Sequence, residues 1–167
     1  MDLNDSKESF FAHSAVIALY ERATDSLILT KRSEELRAHP GEVCFPGGAW
    51  EEEDKNLFET ALRELYEELG ITGDRVTLIR ELDVETTLLG SIIHPWFASI
   101  ESIIPYHIND KEVKRIISIP MPLVLDAQNY KVITVERNGF RFKSYELIYA
   151  GDSIWGATAR IMKQLSI

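Results

Sequence analysis

The fold is decided by one stretch of sequence, GGAWEEEDKNLFETALRELYEELGI at residues 47–71. Its second half, Leu57–Leu69, has the apolar spacing of an amphipathic helix, which turns by about 100° per residue. The apolar stripe of this helix consists of Phe58, Ala61, Leu62, Leu65 and Leu69. Gly70 follows directly and predicts the end of the helix, because glycine readily adopts the left-handed conformation that closes a helix.

Three glutamates lie beside this stripe. Glu64, Glu67 and Glu68 are spaced i, i+3 and i+4, so they share about 100° of helical arc. Carboxylates this close repel one another unless a positive group neutralises them, and Mg²⁺ or Mn²⁺ takes oxygen ligands of this kind together with substrate phosphate oxygens. The triplet alone is equally compatible with a solvated acidic face, so the surrounding residues must decide.

The segment RELYEELGI, Arg63–Ile71, resembles the last part of the Nudix box position by position, R-E-U-x-E-E-x-G-U with U aliphatic. Gly47 and Gly48 lie where that box begins. One residue too many separates these glycines from the arginine, and the glutamate expected between them is replaced by Lys55, or by Asp54 if the loop absorbs the extra residue. The resemblance implies a Nudix hydrolase with the family's α/β/α sandwich.

The pattern of elements along the chain also favours an α/β/α sandwich with a mixed β-sheet. Strands are predicted at Ser14–Tyr20, Ser26–Lys31, Glu42–Phe45, Arg75–Val84, Ser91–Ser102, Tyr130–Val135 and Phe140–Tyr149. Turns or loops are predicted at 46–48, 88–90 and 109–114, and Asn138-Gly139 predicts a hairpin turn. A last helix is predicted from an N-cap at Asp152 or Ser153 to Leu165.

Composition is that of an ordinary soluble globular protein, with 45% hydrophobic and 27% charged residues among 167. This length suits a single Nudix domain over residues 1–167, of which the polar residues 1–12 are expected to be loosely held. The chain has 18 basic and 27 acidic side chains, a net charge of −9. That balance argues against nucleic-acid binding, which requires a basic surface.

Several features predict a cytoplasmic protein. The single cysteine, Cys44, excludes an internal disulfide and suits a reducing compartment. The N-terminal sequence MDLNDSKESF has no basic segment followed by an apolar one, so no signal peptide is expected. Apolar runs stay below the roughly 18 residues that a membrane-spanning helix needs, so no membrane association is expected. Whether the chain forms a homodimer is left open.

A second motif, ILTKRSEELRAHPGEVCFPGG at residues 28–48, narrows the substrate. It resembles the signature of the coenzyme A pyrophosphatase branch of the Nudix family, L-L-T-x-R-S-x-x-x-R-x-x-x-G-x-x-x-F-P-G-G, and departs from it only at Ile28. That branch also carries a longer loop after the glycines, which accounts for the extra residue in the box. The resemblance covers about residues 12–165.

The chemistry of this motif agrees with a ligand rich in phosphate. Arg32 and Arg37 present guanidinium groups suited to phosphate oxygens, and Ser33 adds a hydroxyl donor. His39 is either a further ligand or an anchor of its loop, and either arginine could instead pair with a neighbouring glutamate. The implied substrates are coenzyme A and acyl-coenzyme A, whose 3′-phosphate requires more positive charge than a plain nucleoside diphosphate ester.

The resemblance also implies the catalytic apparatus for diphosphate hydrolysis with Mg²⁺ or Mn²⁺. Glu67 and Glu68 are the first choices as metal ligands, with the Gly48 carbonyl as a third. Glu64 either joins them or takes a proton from the attacking water, and spacing does not separate these roles. Arg63 is expected to hold a carboxylate in place through its i+4 pair with Glu67.

Nudix sites usually recruit a further acidic residue from a distal loop, and the branch carries a Glu-Val pair where this chain has Glu112-Val113. Glu112 is therefore predicted to complete the site. The alternative substrates are ADP-ribose, NADH or a damaged nucleoside triphosphate, which the box residues alone do not exclude. A non-catalytic sensing module is a further alternative, although such domains usually lose the box carboxylates.

Overall fold

The protein is described by a computed structural model that covers residues 12–87 and 90–167, without the side chain of Arg137. The segment expected to be loosely held, residues 1–12, lies outside the described residues except for Ala12. The loop predicted at residues 88–90 likewise falls outside them except for Gly90. No helix within the described ranges has the length and apolar character needed to cross a membrane.

Within the described residues the chain forms strands, three α-helices and two short 3₁₀ turns. The strands are β1 His13–Glu21, β2 Ser26–Arg32, β3 Val43–Cys44, β4 Gly47–Ala49, β5 Thr77–Glu81, β6 Glu85–Thr86, β7 Ile92–Ile100, β8 Val113–Pro120, β9 Lys131–Arg137, β10 Phe140–Tyr149 and β11 Asp152–Trp155. The helices are α1 Leu57–Leu69, α2 Met121–Leu125 and α3 Gly156–Lys163, and the 3₁₀ turns are Gly73–Arg75 and Ala127–Asn129.

The main sheet is mixed, as the sequence predicts. Its strand order is β3-β2-β1-β7-β5, while β4 pairs with β1, β6 with β7 and β8 with β2. The central pair β1–β7 is parallel and its register runs from His13 opposite Ile92 to Glu21 opposite Ile100. The other pairs in this sheet are antiparallel. A second, smaller sheet has the order β11-β10-β9.

Helices cover both faces of the main sheet, which confirms the predicted α/β/α sandwich. Side chains alternate between the faces along β1, because successive residues of a strand point to opposite sides. Ile17 therefore packs with Leu65 of α1 in one buried cluster, and Ala18 packs with Ile161 of α3 in the other. The glutamates of α1 lie beside the cluster that contains Ile17 and Leu65. The helix therefore places these glutamates at the edge of the sheet.

Helix α1 begins and ends where the sequence predicts. Asn56 is its N-cap, and the Asn56 Oδ1 accepts a hydrogen bond of 2.9 Å from the Glu59 backbone N–H. Gly70 adopts a left-handed conformation with φ of 67°, and its N–H donates to the Tyr66 carbonyl at 2.8 Å. Both ends of the helix that carries the box glutamates are thus fixed by local contacts.

Two local predictions are wrong. Residues 46–48 do not form a simple turn, because Gly47–Ala49 is strand β4, paired with Ser14–Val16 of β1. A side chain at Gly47 would overlap the Ala15 carbonyl, so glycine permits this pairing. The last helix does not begin at an Asp152 or Ser153 N-cap, because Asp152–Trp155 is strand β11 with alternating buried and exposed residues, and α3 starts at Gly156.

Candidate active site

Three carboxylates meet at one end of the sandwich. Glu64 and Glu68 project from adjacent turns of α1, and Glu112 comes from the loop before β8. One carboxylate oxygen from each lies within 4.8 Å of the others. Glu64 and Glu112 are partly buried and Glu68 is buried, so the group is not a solvated acidic face. The structure brings the predicted distal residue Glu112 to two of the box glutamates.

Burial and repulsion from neighbouring carboxylates raise the pKa values of Glu64 and Glu68 in this cluster. Burial, together with the charge of Glu67, raises the pKa of Glu64 to about 7. Burial, together with the charges of Glu64 and Glu112, raises the pKa of Glu68 to about 8. A hydrogen bond from the Gly47 backbone opposes the shift at Glu68 without cancelling it. The site therefore has an excess of negative charge that a bound cation would relieve.

The cluster fits a hard divalent cation on its donor chemistry. Its ligand atoms are carboxylate oxygens, which Mg²⁺ and Mn²⁺ prefer. Strand β4 also comes very close to it: a Cβ built on Gly48 would lie 2.5 Å from the Glu64 carboxyl carbon. Because residue 48 has no side chain, the Glu64 carboxylate fits beside the backbone of β4. The Gly48 carbonyl in this backbone is the predicted further metal ligand.

Glu67, a predicted metal ligand, lies apart from this cluster. Both of its carboxylate oxygens accept hydrogen bonds of 3.2 Å from Arg63 Nη1, and its side chain is 44% exposed. The same Arg63 nitrogen donates to Glu64 Oε1 at 3.1 Å. Arg63 therefore forms the predicted i+4 pair and also joins Glu67 to Glu64.

Asp54 occupies the position of the missing box glutamate. Arg63 donates to its carboxylate from Nε at 2.9 Å and from Nη2 at 3.1 Å, and Thr60 adds a bond of 2.8 Å. Although burial acts to raise the pKa of Asp54, these bonds and one from the Glu51 backbone lower it below its ordinary value. The loop absorbs the extra residue by a turn in which the Asp54 N–H donates to the Glu51 carbonyl.

The upstream motif adjoins the cluster through Arg32 and Ser33. Arg32 donates from Nε and Nη2 to the Ala38 carbonyl at 3.2 and 3.1 Å, which holds the guanidinium across its own loop. Its charge acts to lower the pKa of Glu68, against the larger effect of burial. Ser33 is buried, and its backbone N–H donates to the Glu112 carbonyl at 2.9 Å.

Two other predicted substrate residues lie farther out on this loop. Arg37 is exposed, and its side chain forms no hydrogen bond or ion pair within the described ranges of the chain. His39 is also exposed and pairs through Nδ1 with Glu42 Oε2 at 3.1 Å. The pair with Glu42 therefore makes His39 an anchor of its loop. The guanidinium of Arg37 instead faces solvent. Phe45, from the same motif, is buried in the core.

Sequence reasoning missed the residues that hold the Glu112 loop. Asn109 connects this loop to the C-terminal turn of α1 and to Glu112 itself through backbone hydrogen bonds. The charged turn predicted at residues 109–114 marks the segment, but local sequence does not show which helix it contacts.

The carboxylate oxygens clustered at the edge of the sandwich are suited to hold a divalent metal, which in hydrolases activates phosphate compounds toward attack by water. The chain belongs to the Nudix hydrolase family, because the NUDIX domain matches residues 11–116. It is 35% identical over 155 residues to the uncharacterised Nudix hydrolase NudL of Yersinia enterocolitica, a match that covers 92% of this chain and 80% of the relative. Nudix hydrolases are pyrophosphohydrolases that generally use divalent metals.

Solved structures confirm the fold. DR0079 from Deinococcus radiodurans superposes with a TM-score of 0.59 at 18% identity, covering 92% of this chain and 82% of that one. The NUDIX domain of Shewanella oneidensis NrtR, complexed with ADP ribose, gives a TM-score of 0.52 at 21% identity, covering 75% of this chain and 87% of that one. At these identities the likeness establishes the sandwich alone.

Proposed function

We propose that this Nudix hydrolase cleaves the diphosphate of coenzyme A and acyl-coenzyme A, giving 3′,5′-ADP and 4′-phosphopantetheine or its acylated form. The observation that carries the proposal is the contact between the upstream motif and the acidic cluster. Ser33 of that motif bonds the backbone of Glu112, and the motif ends in β4 beside Glu64. The residues that resemble the coenzyme A branch thus line the same site as the box glutamates.

Positive charge near the site supports a substrate with an additional phosphate. Arg37 is exposed and unengaged within the described residues, so its guanidinium is available for the 3′-phosphate. Arg32 is turned toward Glu68 and the Ala38 carbonyl, and we assign it to the diphosphate. Ser33 and His39 complete the proposed substrate contacts.

The box residues have different proposed roles, as metal ligands and as the general base. A bound Mg²⁺ or Mn²⁺ would neutralise the diphosphate and make its phosphorus open to attack. Glu64, Glu68, Glu112 and the Gly48 carbonyl are the proposed ligands, and Glu67 would have to leave its pair with Arg63 to become a further one. Glu64 is also the proposed general base, because its carboxylate lies in the cluster where the attacking water would be bound.

In the proposed reaction, one water attacks a phosphorus of the diphosphate and loses a proton to the base. The bond from that phosphorus to the bridging oxygen breaks, and the other phosphate leaves with this oxygen. Arg63 holds Glu64 and Glu67 in place, while Glu112 closes the cluster from the opposite side. Water is the only co-substrate required.

The test is product analysis by chromatography after incubation with Mg²⁺ or Mn²⁺. Separate reactions contain coenzyme A, acetyl-coenzyme A, dephospho-coenzyme A, ADP-ribose or NADH. Release of 3′,5′-ADP from coenzyme A, with weak cleavage of the dephospho form, is the expected result. Preferred cleavage of ADP-ribose or NADH would retain the Nudix chemistry and overturn the substrate assignment.

The arginine assignment has its own test. Arg37→Ala is expected to raise KM for coenzyme A by about 10- to 100-fold, the loss of one charge-assisted contact, and to leave KM for dephospho-coenzyme A unchanged. Arg141→Ala is the matched control, because Arg141 is 77% exposed on the distant β9–β10 hairpin. An equal rise for both substrates would show that Arg37 does not contact the 3′-phosphate.

A further inference from the structure

The loop that carries Glu112, residues 107–113, is bonded directly to the end of α1. The last four carbonyls of a helix have no partner inside the helix and must find one elsewhere. His107 N–H donates to the Leu69 carbonyl at 2.7 Å, and Asn109 N–H donates to the Glu68 carbonyl at 2.9 Å. Glu68 therefore contributes its carboxylate to the acidic cluster and its carbonyl to the Glu112 loop.

Asn109 also accepts hydrogen bonds from residues of the loop that follow it in the chain. Its carbonyl accepts from the N–H groups of Glu112 at 3.0 Å and Val113 at 2.9 Å. Its side-chain Oδ1 accepts from the Lys111 N–H at 3.2 Å, the hydrogen bond of an Asx turn. This one residue thus links the α1 terminus to the turn from which Glu112 projects.

The opposite end of Glu112 is held by the substrate motif. Ser33 N–H donates to the Glu112 carbonyl, just beyond an irregularity in the β2–β8 register between Lys31 and Arg32. The backbone of Glu112 is therefore fixed on both sides. Such support is needed, because three carboxylates within 4.8 Å repel one another and would otherwise drive the loop outward.

We infer that Asn109 is a positioning residue, which holds Glu112 at the distance from Glu64 and Glu68 that divalent-cation binding requires. It acts through the turn and makes no contact with substrate. The inference rests on the proposed role of Glu112 in the metal site, but it does not depend on which diphosphate is cleaved. Residues that orient metal ligands typically change metal affinity by about 10- to 100-fold when they are lost.

The experiment compares Mn²⁺ binding by calorimetry in the full-length protein and its variants. Asn109→Ala removes the Asx acceptor and is expected to weaken Mn²⁺ binding about tenfold. Asn109→Ser keeps a neutral acceptor and is expected to recover most of that loss. Asp126→Ala is the matched control, since it removes the same kind of bond, to the Gln128 N–H, from an exposed turn outside the site.

The dependence of kcat on Mn²⁺ concentration gives a second measurement, which would not change if Asn109 only stabilised the fold. Asn109→Ala should reduce kcat at low Mn²⁺ and regain it at saturating Mn²⁺, with KM for coenzyme A unchanged. If Asn109→Ala does not fold, Asn109→Gln displaces the acceptor by one methylene and serves in its place.

The outcomes separate this inference from the proposed function. Wild-type Mn²⁺ affinity in Asn109→Ala, or an equal loss in Asp126→Ala, would overturn the positioning role alone. Failure of the unsubstituted protein to bind Mn²⁺ would overturn the metal site and the inference together. Cleavage of ADP-ribose in preference to coenzyme A would change the substrate and leave the role of Asn109 intact.

Discussion

Glu64 connects three parts of the site. It accepts a hydrogen bond from Arg63, adjoins Gly48 and belongs to the carboxylate cluster. Glu64→Gln keeps the shape of the side chain but removes its charge and basicity. We expect kcat to fall by about 10²- to 10⁴-fold, the usual contribution of a positioned acid or base, while coenzyme A still binds. Steady-state kinetics and equilibrium dialysis measure the two effects.

Glu59→Gln is the control for this substitution, because Glu59 lies on the same helix and is exposed. Its turnover should match that of the unsubstituted protein. Unchanged turnover in Glu64→Gln would contradict the catalytic assignment. Absence of turnover in the unsubstituted protein, with binding intact, would instead indicate a sensing module.

Gly48 is constrained by the same carboxylate. A methyl group at this position would lie 2.5 Å from Glu64 Oε1, so Gly48→Ala must displace the Glu64 side chain. We expect loss of turnover with little change in the free energy of unfolding, because the displaced atoms are the end of a flexible side chain. Circular dichroism and thermal unfolding measure the fold, and the chromatographic assay measures turnover.

Gly73→Ala offers a matched comparison outside the cluster. Its added methyl would contact a terminal methyl of Leu62 at 3.2 Å, which a small rotation of that flexible side chain relieves. Turnover should therefore persist in Gly73→Ala. Equal activity in both variants would show that space at Gly48 is not needed for catalysis.

At the scale of elements, strand β11 is tied to the main sheet by one ion-pair group. Buried Asp152 accepts two bonds of 2.6 Å from Arg115 Nη2 on β8, and Lys31 Nζ on β2 lies 3.6 Å away. These contacts, chiefly the bonds from Arg115, lower the pKa of Asp152. The small sheet is thereby fixed to the strands that lead into the site.

The sign of this effect predicts a pH dependence. A carboxylate whose pKa is lowered by folding stabilises the fold above its unfolded pKa of about 3.9, and the contribution disappears as pH falls through the folded value. Asp152→Asn should lower the free energy of unfolding by about 2 kcal/mol at neutral pH, as for a hydrogen bond to a charged group. The difference from wild type should shrink as pH falls below the unfolded pKa of about 3.9 and should vanish once pH is below the lowered folded pKa as well. Urea unfolding at several pH values measures it.

Glu136→Gln controls for the loss of a carboxylate, since its pair with Arg141 is exposed on both sides. Exposed pairs contribute about 0–1 kcal/mol, so its effect should be small at every pH. A pH-independent loss in Asp152→Asn would indicate a packing defect rather than the loss of an ion pair.

The same elements show where local sequence suffices. Helix α1 was predictable to the residue, because its apolar spacing and its C-terminal glycine agree, and the structure adds the Asn56 N-cap. Asp152–Trp155 was predicted as helix because Ile154 and Trp155 also fit a helical stripe. Pairing with β10 and the ion pair of Asp152 outweigh that propensity, and the ion pair depends on Arg115, which is distant in sequence.

The residues of the site, like the elements of the fold, could be predicted from the sequence only in part. The box glutamates were predicted from motif spacing and Glu112 from the family resemblance, and the structure brings Glu64, Glu68 and Glu112 together. The spacing could not assign Asp54 to Arg63, because that depends on how the loop absorbs one residue. Nor could it show that Ser33 supports Glu112, a contact created by pairing of β2 with β8 between residues that lie 79 positions apart in the chain (112 − 33).

At the scale of the whole molecule, a net charge of −9 is combined with a buried acidic cluster. Self-repulsion of this kind lowers stability unless a counter-ion binds. Metal binding and global stability should therefore be coupled in this protein. The cytoplasmic location and the absence of nucleic-acid partners stay predictions, and a homodimer stays open.

The coupling predicts a metal-dependent melting temperature that changes with pH. Because burial raises the pKa of Glu64 to about 7 and of Glu68 to about 8, the metal-free fold holds protons there and loses stability as pH rises through these values. Metal ligands must be deprotonated, so Mg²⁺ or Mn²⁺ should bind more tightly over the same range. At one fixed metal concentration the gain rises as Kd falls, reaching about 2.7 kcal/mol where the metal is at about 100 times its Kd, and EDTA should abolish this gain. Differential scanning calorimetry between about pH 6 and pH 9 should show a shift that grows with pH in wild type and is much smaller in Glu68→Gln. A shift that is independent of pH, or equal in Glu68→Gln, would mean that the ion binds elsewhere on the acidic surface.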